Sequence, residues 1–319
     1  MSFGIDSILA ARQRISPYIV KTPLLRLENL DPYLGCRVFA KAECMQKTGS
    51  FKLRGAMNKV LSLPREDLDR GIVAVSSGNH GRAVAYAAKM FGLRATVIVP
   101  DTAVRVKTEA IKELGAEIIQ CKAEERYELA ERLCRERGGV MVPPFDDYEI
   151  MAGQGTAGLE IIEQYPELDR ILVPVSGGGL LGGVSCAVKA VSAGTKIYGI
   201  CPEVLPHFRL SMEKGEPVAV EQRTSVADAL ASRKPGSKTF PVVRQYCDGI
   251  VAVSEERIMQ GMKLMLTEGK LLAEPSSCIG AAALLAGSLP VEKNENVCLL
   301  LSGGNVGLEQ LERLRDVTL

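Results

Sequence analysis

Residues 171–191 read ILVPVSGGGLLGGVSCAVKAV and contain the clearest indication of the fold class. A run of mostly β-branched residues, 171–175, is followed by adjacent glycines and then by an apolar segment at helical spacing, 180–191. A strand, a glycine loop and a helix in this order are typical of open α/β sheets, which bind ligands at the carboxyl ends of their strands. The stretch therefore predicts an α/β fold with a ligand site at the glycines.

The same alternation of strand and helix patterns continues along most of the chain. We predict strands at 37–42, 71–75, 95–99, 117–121, 140–142, 171–175, 196–200, 250–253 and 297–301. We predict helices at 82–91, 106–114, 124–137, 155–164, 180–191, 255–266, 277–286 and 307–315. Strands that are apolar on both faces and are separated by helices indicate parallel sheets covered on both sides. The polar stretch 202–241 is expected to be a loop that borders a ligand site or an oligomer contact.

Composition excludes several classes of function. The net charge is +1 and aromatic residues make up 5% of the chain, so the charge excess and stacking rings of nucleic-acid binding are missing. No long apolar run or leader-like start is present, which predicts an unexported cytoplasmic protein without a membrane partner. The nine cysteines form no Cys-x-x-Cys pair, and this favours reduced thiols over disulfides or a zinc site. Because there are two histidines, a His-rich metal centre is excluded and catalysis is expected from lysine, serine or a cofactor.

The glycine loop, Ser176 to Gly183, indicates a phosphate site. Adjacent glycines remove every Cβ at a helix start, so several backbone N–H groups can converge on one phosphate. The loop lacks the Gly-x-Gly-x-x-Gly spacing of dinucleotide sites and the lysine of nucleotide P-loops. It therefore suggests a different phosphorylated cofactor, although Gly182 and Gly183 could equally pack against the sheet.

Three further segments place reactive or anion-binding groups at junctions between elements. Lys52, flanked by apolar residues, could be a desolvated nucleophilic amine or a solvated surface lysine. The loop Ser76 to Gly81 precedes a helix and could bind a carboxylate, or Ser77 and Asn79 could simply cap that helix. Ser302 could face a heteroaromatic nitrogen or could merely end its strand. Together, these groups are the parts needed for a Schiff base with pyridoxal phosphate acting on an amino acid.

These four segments, in this order, resemble the tryptophan-synthase-β family of pyridoxal-phosphate enzymes (fold type II), and within it the serine/threonine dehydratase and serine racemase branch. Matches at Asp146-Asp147, 152–156 and 273–276 extend the resemblance from about residue 22 to residue 307. It implies a two-lobed α/β enzyme with a large cofactor-binding domain, 1–70 and 150–319, and a small mobile domain, 71–149. A homodimer or a larger homo-oligomer is also implied.

The resemblance also assigns roles to individual residues. Lys52 would hold the cofactor as a Schiff base and remove the Cα proton of a small amino-acid substrate. The implied cofactor ligands are Phe51 and Asn79 at the ring and its 3-hydroxyl, Ser176, Gly177, Gly178, Gly179 and Leu180 at the phosphate, and Ser302 at the ring nitrogen. The residues expected to receive the substrate carboxylate are Ser76, Ser77, Asn79 and His80.

The reaction implied is β-elimination from a β-hydroxy amino acid, with L-threonine or L-serine as the default substrate. Ser77 also allows an amino-acid racemase, because racemases of this branch carry a second acid/base at this position. Arg82 replaces the usual glutamine, and it is either a surface residue or a group that recognises a second anion, as on 3-hydroxyaspartate or a hydroxyectoine-derived substrate. Cys201 and His207 stand where relatives carry acidic ligands of a divalent cation, so we predict no metal site. A catalytically silent regulator is disfavoured by the intact Lys52.

Overall fold

The computed structural model describes residues 3–319, so Met1 and Ser2 of the predicted large domain lie outside the described residues. The strands are β1 Leu24–Arg26, β2 Arg37–Ala42, β3 Ile72–Val75, β4 Ala95–Pro100, β5 Glu117–Cys121, β6 Val140–Met141, β7 Arg170–Pro174, β8 Lys196–Pro202, β9 Gly249–Val253 and β10 Asn296–Leu301. The helices are α1 Ile5–Ile15, α2 Asp31–Leu34, α3 Lys52–Ser62, α4 Arg65–Leu68, α5 Asn79–Met90, α6 Arg105–Lys112, α7 Arg126–Arg137, α8 Tyr148–Gln164, α9 Gly179–Val191, α10 His207–Lys214, α11 Thr239–Tyr246, α12 Glu255–Thr267, α13 Pro275–Leu285 and α14 Leu308–Glu312. Short 3-10 turns lie at Glu28–Leu30, Glu43–Met45, Asp228–Leu230 and Arg313–Asp316.

The strands form two sheets, and the predicted α/β class is confirmed. The larger sheet has the order β1-β2-β10-β7-β8-β9, and only the edge strand β1 pairs antiparallel. The smaller sheet has the order β5-β4-β3-β6 and is parallel throughout. Its four strands all fall between residues 71 and 149, whereas the strands of the larger sheet come from both flanking parts of the chain. That the unit 71–149 moves remains a prediction.

The burial of individual residues agrees with the positions of the strands and helices in the fold. Every residue of β3 and of β10 is buried, as expected for central parallel strands that are covered by helices on both faces. Helices α8 and α9 are buried over most of their length and pack against each other, and α13 lies against the larger sheet. The carboxyl ends of β3, β7 and β10 consequently open towards one cavity.

Some of the residues that begin or end the helices agree with the sequence predictions. Gly92 and Gly115 adopt positive φ angles of 63° and 90°, as a left-handed residue after a helix requires. Ser254 caps α12 by accepting a hydrogen bond from the Arg257 N–H. The helix predicted at 155–164 begins instead at Tyr148, because the Asp147 side chain accepts two backbone N–H bonds and caps it there.

The predicted loop at 202–241 is wrong in its first part. Helix α10 begins at His207, directly after Pro206, and residues 228–230 form a 3-10 turn. The helical period was hidden because α10 has only two turns and its sequence, HFRLSMEK, mixes buried and charged residues. The segment packs against the glycine loop, where the Phe208 ring lies 2.6 Å from the position of a Cβ on Gly178.

A buried network of charges lies behind α3, the helix that begins at Lys52. The Arg54 guanidinium is fully buried and forms ion pairs with Glu43 at 2.8 Å and with Glu160 at 2.7 Å. Lys41, also fully buried, donates to Glu160 at 2.6 Å. Buried charges persist only when they are paired and hydrogen-bonded, so this network fixes α3 against β2 and α8.

The remaining sequence expectations concern thiols, metals and membranes. The nine cysteines are free thiols, and five of them are buried. Within the described part of the chain, no group of three His, Cys, Asp or Glu side chains could hold a metal ion. Among residues 3–319, no helix combines the length and the apolar character needed to cross a bilayer.

Candidate active site

A cavity of about 960 Å³ brings together the four segments singled out from the sequence. Its lining includes Lys52, the loop that follows β3, the glycine loop that follows β7, and Ser302 at the end of β10. These segments are widely separated in sequence. The glycine loop and Ser302 meet because β7 and β10 are parallel neighbours in the larger sheet, and the loop after β3 reaches the same cavity from the smaller sheet. Phe51 and Leu180 also line the cavity.

Lys52 is the first residue of α3, and its amine faces this cavity. Its Nζ donates a hydrogen bond to the Pro144 carbonyl at 2.6 Å and lies 5.2 Å from the centre of the Phe51 ring. Burial lowers the pKa of Lys52 to about 8, and the negative charge of Glu274 opposes that shift. The alternative of a solvated surface lysine is therefore wrong, and about a tenth of the amine is neutral at pH 7, far more than for an ordinary lysine.

The glycine loop forms a cup without side chains. A Cβ on Gly177 would lie 2.3 Å from the Phe145 ring, and one on Gly178 would lie 2.6 Å from the Phe208 ring. Gly178 also has a φ of 98°, which other residues rarely adopt. The Gly177 carbonyl accepts from Thr239 Oγ1 at 2.6 Å, which holds the loop from behind. Helix α9 begins at Gly179, so its N-terminal N–H groups point into the cup.

Ser176 and Ser302 both line the cavity, and each has its own hydrogen-bond partner. The Ser176 hydroxyl accepts from the Ser232 N–H at 3.2 Å, which anchors the first residue of the cup. Ser302 is 4% exposed, and its hydroxyl lies 3.0 Å from the hydroxyl of Ser277. Ser277 donates its one proton to the Gly303 carbonyl at 2.7 Å, so Ser302 is the donor in this pair, and its O–H must turn away from Ser277 to donate to a ligand in the cavity.

The loop before α5 presents backbone N–H groups to the cavity. The helix is capped by Gly78 without any side-chain hydrogen bond, so the expectation that Ser77 and Asn79 merely cap it is wrong. The Ser76 hydroxyl accepts from the Gly78 N–H at 3.2 Å, and Ser77 lines the cavity. The free N–H groups of a helix start favour an anion such as a carboxylate.

His80 has a structural partner of its own. Its ring is 3% exposed, and Nε2 lies 2.8 Å from the Val142 carbonyl. Burial is the main cause that lowers the pKa of His80 to about 3, and the nearby charge of Lys52 acts in the same direction. The ring is therefore neutral. An anion at the helix start can be bound by the backbone N–H of His80 but not by a charged imidazole.

Two residues of the cavity were missed by the reasoning from sequence. Glu274 is buried, and burial raises the pKa of its carboxyl group to about 7. The Asn79 amide donates to Glu274 Oε1 at 2.9 Å and accepts from Asn305 at 2.7 Å. Glu274 lies in the matched segment 273–276 and Asn305 lies three residues after Ser302, but nothing in the local sequence shows that their side chains meet Asn79.

The residues present fit pyridoxal phosphate. Gly177 to Gly179 line the cavity, and the start of α9 offers backbone N–H donors there for a phosphate group. Lys52 supplies a desolvated amine that can form a covalent bond with an aldehyde. Ser302 supplies a hydroxyl for the ring nitrogen, and Asn79 supplies an amide for the ring edge. A phosphate site, an amine and a polar ring contact therefore line one cavity.

Comparison with known proteins agrees with this fit. A family model described as pyridoxal-phosphate dependent enzyme matches residues 15–303. The chain is 39% identical over 312 residues to the L-threonine ammonia-lyase of Thermotoga maritima, covering 97% of this chain and 77% of the relative. It is 36% identical over 310 residues to the L-threo-3-hydroxyaspartate ammonia-lyase of Saccharomyces cerevisiae, covering 96% and 94%. The solved structure of maize serine racemase superposes with a TM-score of 0.94 at 37% identity, covering 98% of this chain and 97% of that one. The chain belongs to the family of pyridoxal-phosphate dependent enzymes.

Proposed function

We propose that this protein is an ammonia-lyase that eliminates the β-hydroxyl group of a small amino acid, by default L-threonine or L-serine, and releases a 2-oxo acid and ammonia. The observation that carries the proposal is the Lys52 amine, which faces a cavity bounded by the phosphate cup and by the anion-binding start of α5. The T. maritima relative is named for the same reaction on L-threonine.

Lys52 has two tasks in this proposal. It anchors the cofactor, and its amine, once free, accepts the proton of the substrate Cα at Nζ. Since burial lowers the pKa of Lys52 to about 8, the neutral amine is available as a base at physiological pH. Bound pyridoxal phosphate supplies the electron sink that makes the Cα proton acidic.

The elimination requires only water in addition to the substrate. The Cα–H bond breaks and its proton goes to Lys52 Nζ, while the Cβ–O bond breaks and the hydroxyl group takes that proton from Nζ and leaves as water. The released enamine tautomerises to the imine and reacts with water to give a 2-oxo acid and ammonia. Ser302, a hydroxyl rather than a carboxylate at the ring nitrogen, favours prompt loss of the β-substituent over transamination.

A comparison of the wild-type enzyme with Lys52→Ala on a panel of β-hydroxy amino acids tests this proposal. The wild-type enzyme should release pyruvate or 2-oxobutyrate and ammonia from L-serine or L-threonine, and Lys52→Ala should lose both turnover and the absorbance band of the lysine-bound cofactor. Lys59→Ala is a suitable control, because Lys59 lies on the same helix and pairs with Asp147 at 2.7 Å, away from the cavity lining. Turnover by a Lys52→Ala enzyme that keeps the band would refute the assignment.

A racemase is a second candidate, and Ser77 is the observation that favours it. Ser77 lines the cavity on the loop before α5 and does not cap the helix, so its hydroxyl is available to the ligand. A second acid/base facing Lys52 would return a proton to the opposite side of Cα. Incubation of L-serine, with D-serine and pyruvate measured separately, distinguishes the two reactions. Loss of D-serine but not of pyruvate in Ser77→Ala would support racemisation.

Arg82 favours an acidic substrate for the same elimination. Its guanidinium lines the cavity and donates to Asn305 Oδ1 at 2.8 Å, and no carboxylate of residues 3–319 forms an ion pair with it. The uncommitted N–H groups suit a second carboxylate, and the S. cerevisiae relative is named for L-threo-3-hydroxyaspartate. Arg82→Gln should lower kcat/KM for 3-hydroxyaspartate about 10- to 100-fold relative to L-serine. Arg126→Gln, a change of another cavity arginine, is the control. Equal losses on both substrates in Arg82→Gln would exclude this role.

We also propose that residues 71–149 close on the substrate. Lys107 on α6 forms an ion pair of 2.6 Å with Asp228 in the 3-10 turn, and both residues line the cavity. An exposed pair of this kind is weak, so it can open and close at little cost. Faster hydrogen exchange of α6 in Asp228→Asn, restored towards the wild-type rate by added substrate, is the expected result.

Assembly and location complete the proposal. The nine free thiols suit a reducing cytoplasm. We propose a homodimer, as the family resemblance of the sequence implies. Light scattering of the purified protein should give the mass of two chains, and fractionated cells should contain the protein with the cytoplasmic enzymes.

A further inference from the structure

The ring of His207 is buried beneath the phosphate cup. His207 begins α10, is 0% exposed, and lies between two backbone carbonyl groups. Its Nδ1 is 2.9 Å from the Leu205 oxygen, and its Nε2 is 2.7 Å from the Ser176 oxygen. Ser176 is the first residue of the cup, so the imidazole holds the backbone from which the phosphate-binding glycines extend.

Both partners of the ring can only accept hydrogen bonds. A neutral imidazole carries one N–H and one lone pair, whereas an imidazolium carries two N–H groups. In a neutral ring, one nitrogen would turn its lone pair towards a carbonyl oxygen at hydrogen-bond distance, with no water to separate them. The proton positions follow from these partners, and two carbonyl acceptors call for two N–H donors.

Burial and hydrogen bonding act on this ring in opposite directions. Burial is the larger effect and lowers the pKa of His207 on balance, although the bonds to Ser176 and Leu205 raise it, so the two carbonyl contacts alone do not keep the ring charged. No charged side chain among residues 3–319 contributes to the shift, so no protein carboxylate stabilises the charged ring. A doubly negative phosphate in the adjacent cup would supply the missing countercharge.

The neighbours of His207 connect it to the cup at a second point. Phe208, the next residue of α10, is the ring that a Cβ on Gly178 would strike at 2.6 Å. The start of α10 therefore contacts the cup through the Ser176 carbonyl and through Gly178. Thr239 holds the cup from a third side through the Gly177 carbonyl.

We propose that His207 is a positioning residue that becomes an imidazolium when the phosphate of the cofactor fills the cup, and that it supplies there a fixed positive charge that belongs to the protein itself. The inference needs only the phosphate of the cofactor and no particular substrate. It therefore stands or falls independently of the proposed elimination.

Nitrogen-15 NMR of the histidine-labelled holoenzyme tests the charge directly. The chain has two histidines, so the spectrum contains two rings. His80, which has a single carbonyl partner and a pKa lowered to about 3, is the internal control and should show one protonated and one unprotonated nitrogen at pH 7. His207, assigned by its loss in His207→Asn, should show two protonated nitrogens. An unprotonated nitrogen on His207 in the holoenzyme overturns the proposal.

Cofactor binding gives a second readout that a merely structural role would not move. His207→Asn should raise the Kd for pyridoxal phosphate about 10- to 100-fold, as expected for loss of a charge-assisted contact. It should leave the affinity for pyridoxal, which lacks the phosphate, within about threefold of wild type. An equal loss of affinity for both compounds would mean that His207 only supports the fold, and would also overturn the proposal.

Discussion

Replacing Gly178 with alanine tests whether the conformation of the cup, and not only its sequence, holds the phosphate. Gly178 has a φ of 98°, and a Cβ there would lie 2.6 Å from the Phe208 ring and 2.7 Å from Thr239 Oγ1. A left-handed conformation costs a non-glycine residue about 1–2 kcal/mol. Overpacking of a well-packed site costs about 1–3 kcal/mol more.

The two costs together give about 2–5 kcal/mol for Gly178→Ala. If the loop relaxes to avoid the clash, this free energy appears as weaker cofactor binding, which corresponds to about 30- to 5,000-fold in Kd. If the loop keeps its shape, the same free energy appears as a lower stability of the apoenzyme. Titration of the apoenzyme with pyridoxal phosphate and urea unfolding of the same sample measure the two parts.

Gly182→Ala is the matched control within the same glycine-rich segment. Its Cβ would meet the Met151 sulfur at 3.2 Å and two valine methyl groups at 3.5 Å, and its φ is not positive. Alanine inside a helix gains about 0.5–1 kcal/mol over glycine, so Gly182→Ala should stay within about 1 kcal/mol of wild type. If Gly178→Ala matched Gly182→Ala in both measurements, the cup geometry would not carry the phosphate site.

Three further predictions concern charged groups. The rate at which the apoenzyme reacts with pyridoxal phosphate should rise with pH and level off near the Lys52 pKa of about 8, because only the neutral amine reacts; stopped-flow absorbance that kept rising to pH 10 would contradict this. Glu274 has a pKa of about 7, above its ordinary value of 4.5, so the folded apoenzyme binds the extra proton and loses stability as pH rises through 7. In urea unfolding, the free energy of unfolding of Glu274→Gln should therefore rise relative to that of wild type by up to about 3 kcal/mol between pH 5 and 8. A difference between the two proteins that does not change with pH would count against this prediction. Arg54→Met should cost about 3–5 kcal/mol, since it leaves buried Glu43 and Glu160 without their main partner, and a cost below about 1 kcal/mol would show that the network relaxes.

The fold and the outline of the site could be predicted because they depend on repeating or local signals. Strands such as β3 and β10 are short apolar runs, and the helices between them end at glycines such as Gly92 and Gly115. Once the sheets are parallel, the carboxyl ends of their strands must share an edge. Lys52 and Ser302 are therefore brought to one cavity although they lie far apart in sequence.

The side-chain partners inside that cavity could not be predicted in the same way. Asn79 meets Glu274 and Asn305, and the pKa of Glu274 is raised because the whole cavity wall buries it. Burial and partner choice depend on the packing of several elements, and no local pattern records them. The start of α8 was misplaced for a simpler reason, because the periodic pattern was read from Gly155 although the capping residue is Asp147.

His207 shows how far one departure in sequence can be interpreted and where structure becomes necessary. The family resemblance implies an acidic metal ligand at this position, where the chain has an imidazole, and it therefore predicts the loss of the metal. The sequence pattern placed His207 in a loop, where its ring would have had no fixed partner. In the structure α10 begins at that residue, and the ring spans the Leu205 and Ser176 carbonyl groups. His207, which the sequence presents as a lost metal ligand, is thus a candidate source of positive charge for the phosphate cup. The reason is the distance of 2.9 Å from Nδ1 to the Leu205 oxygen and of 2.7 Å from Nε2 to the Ser176 oxygen.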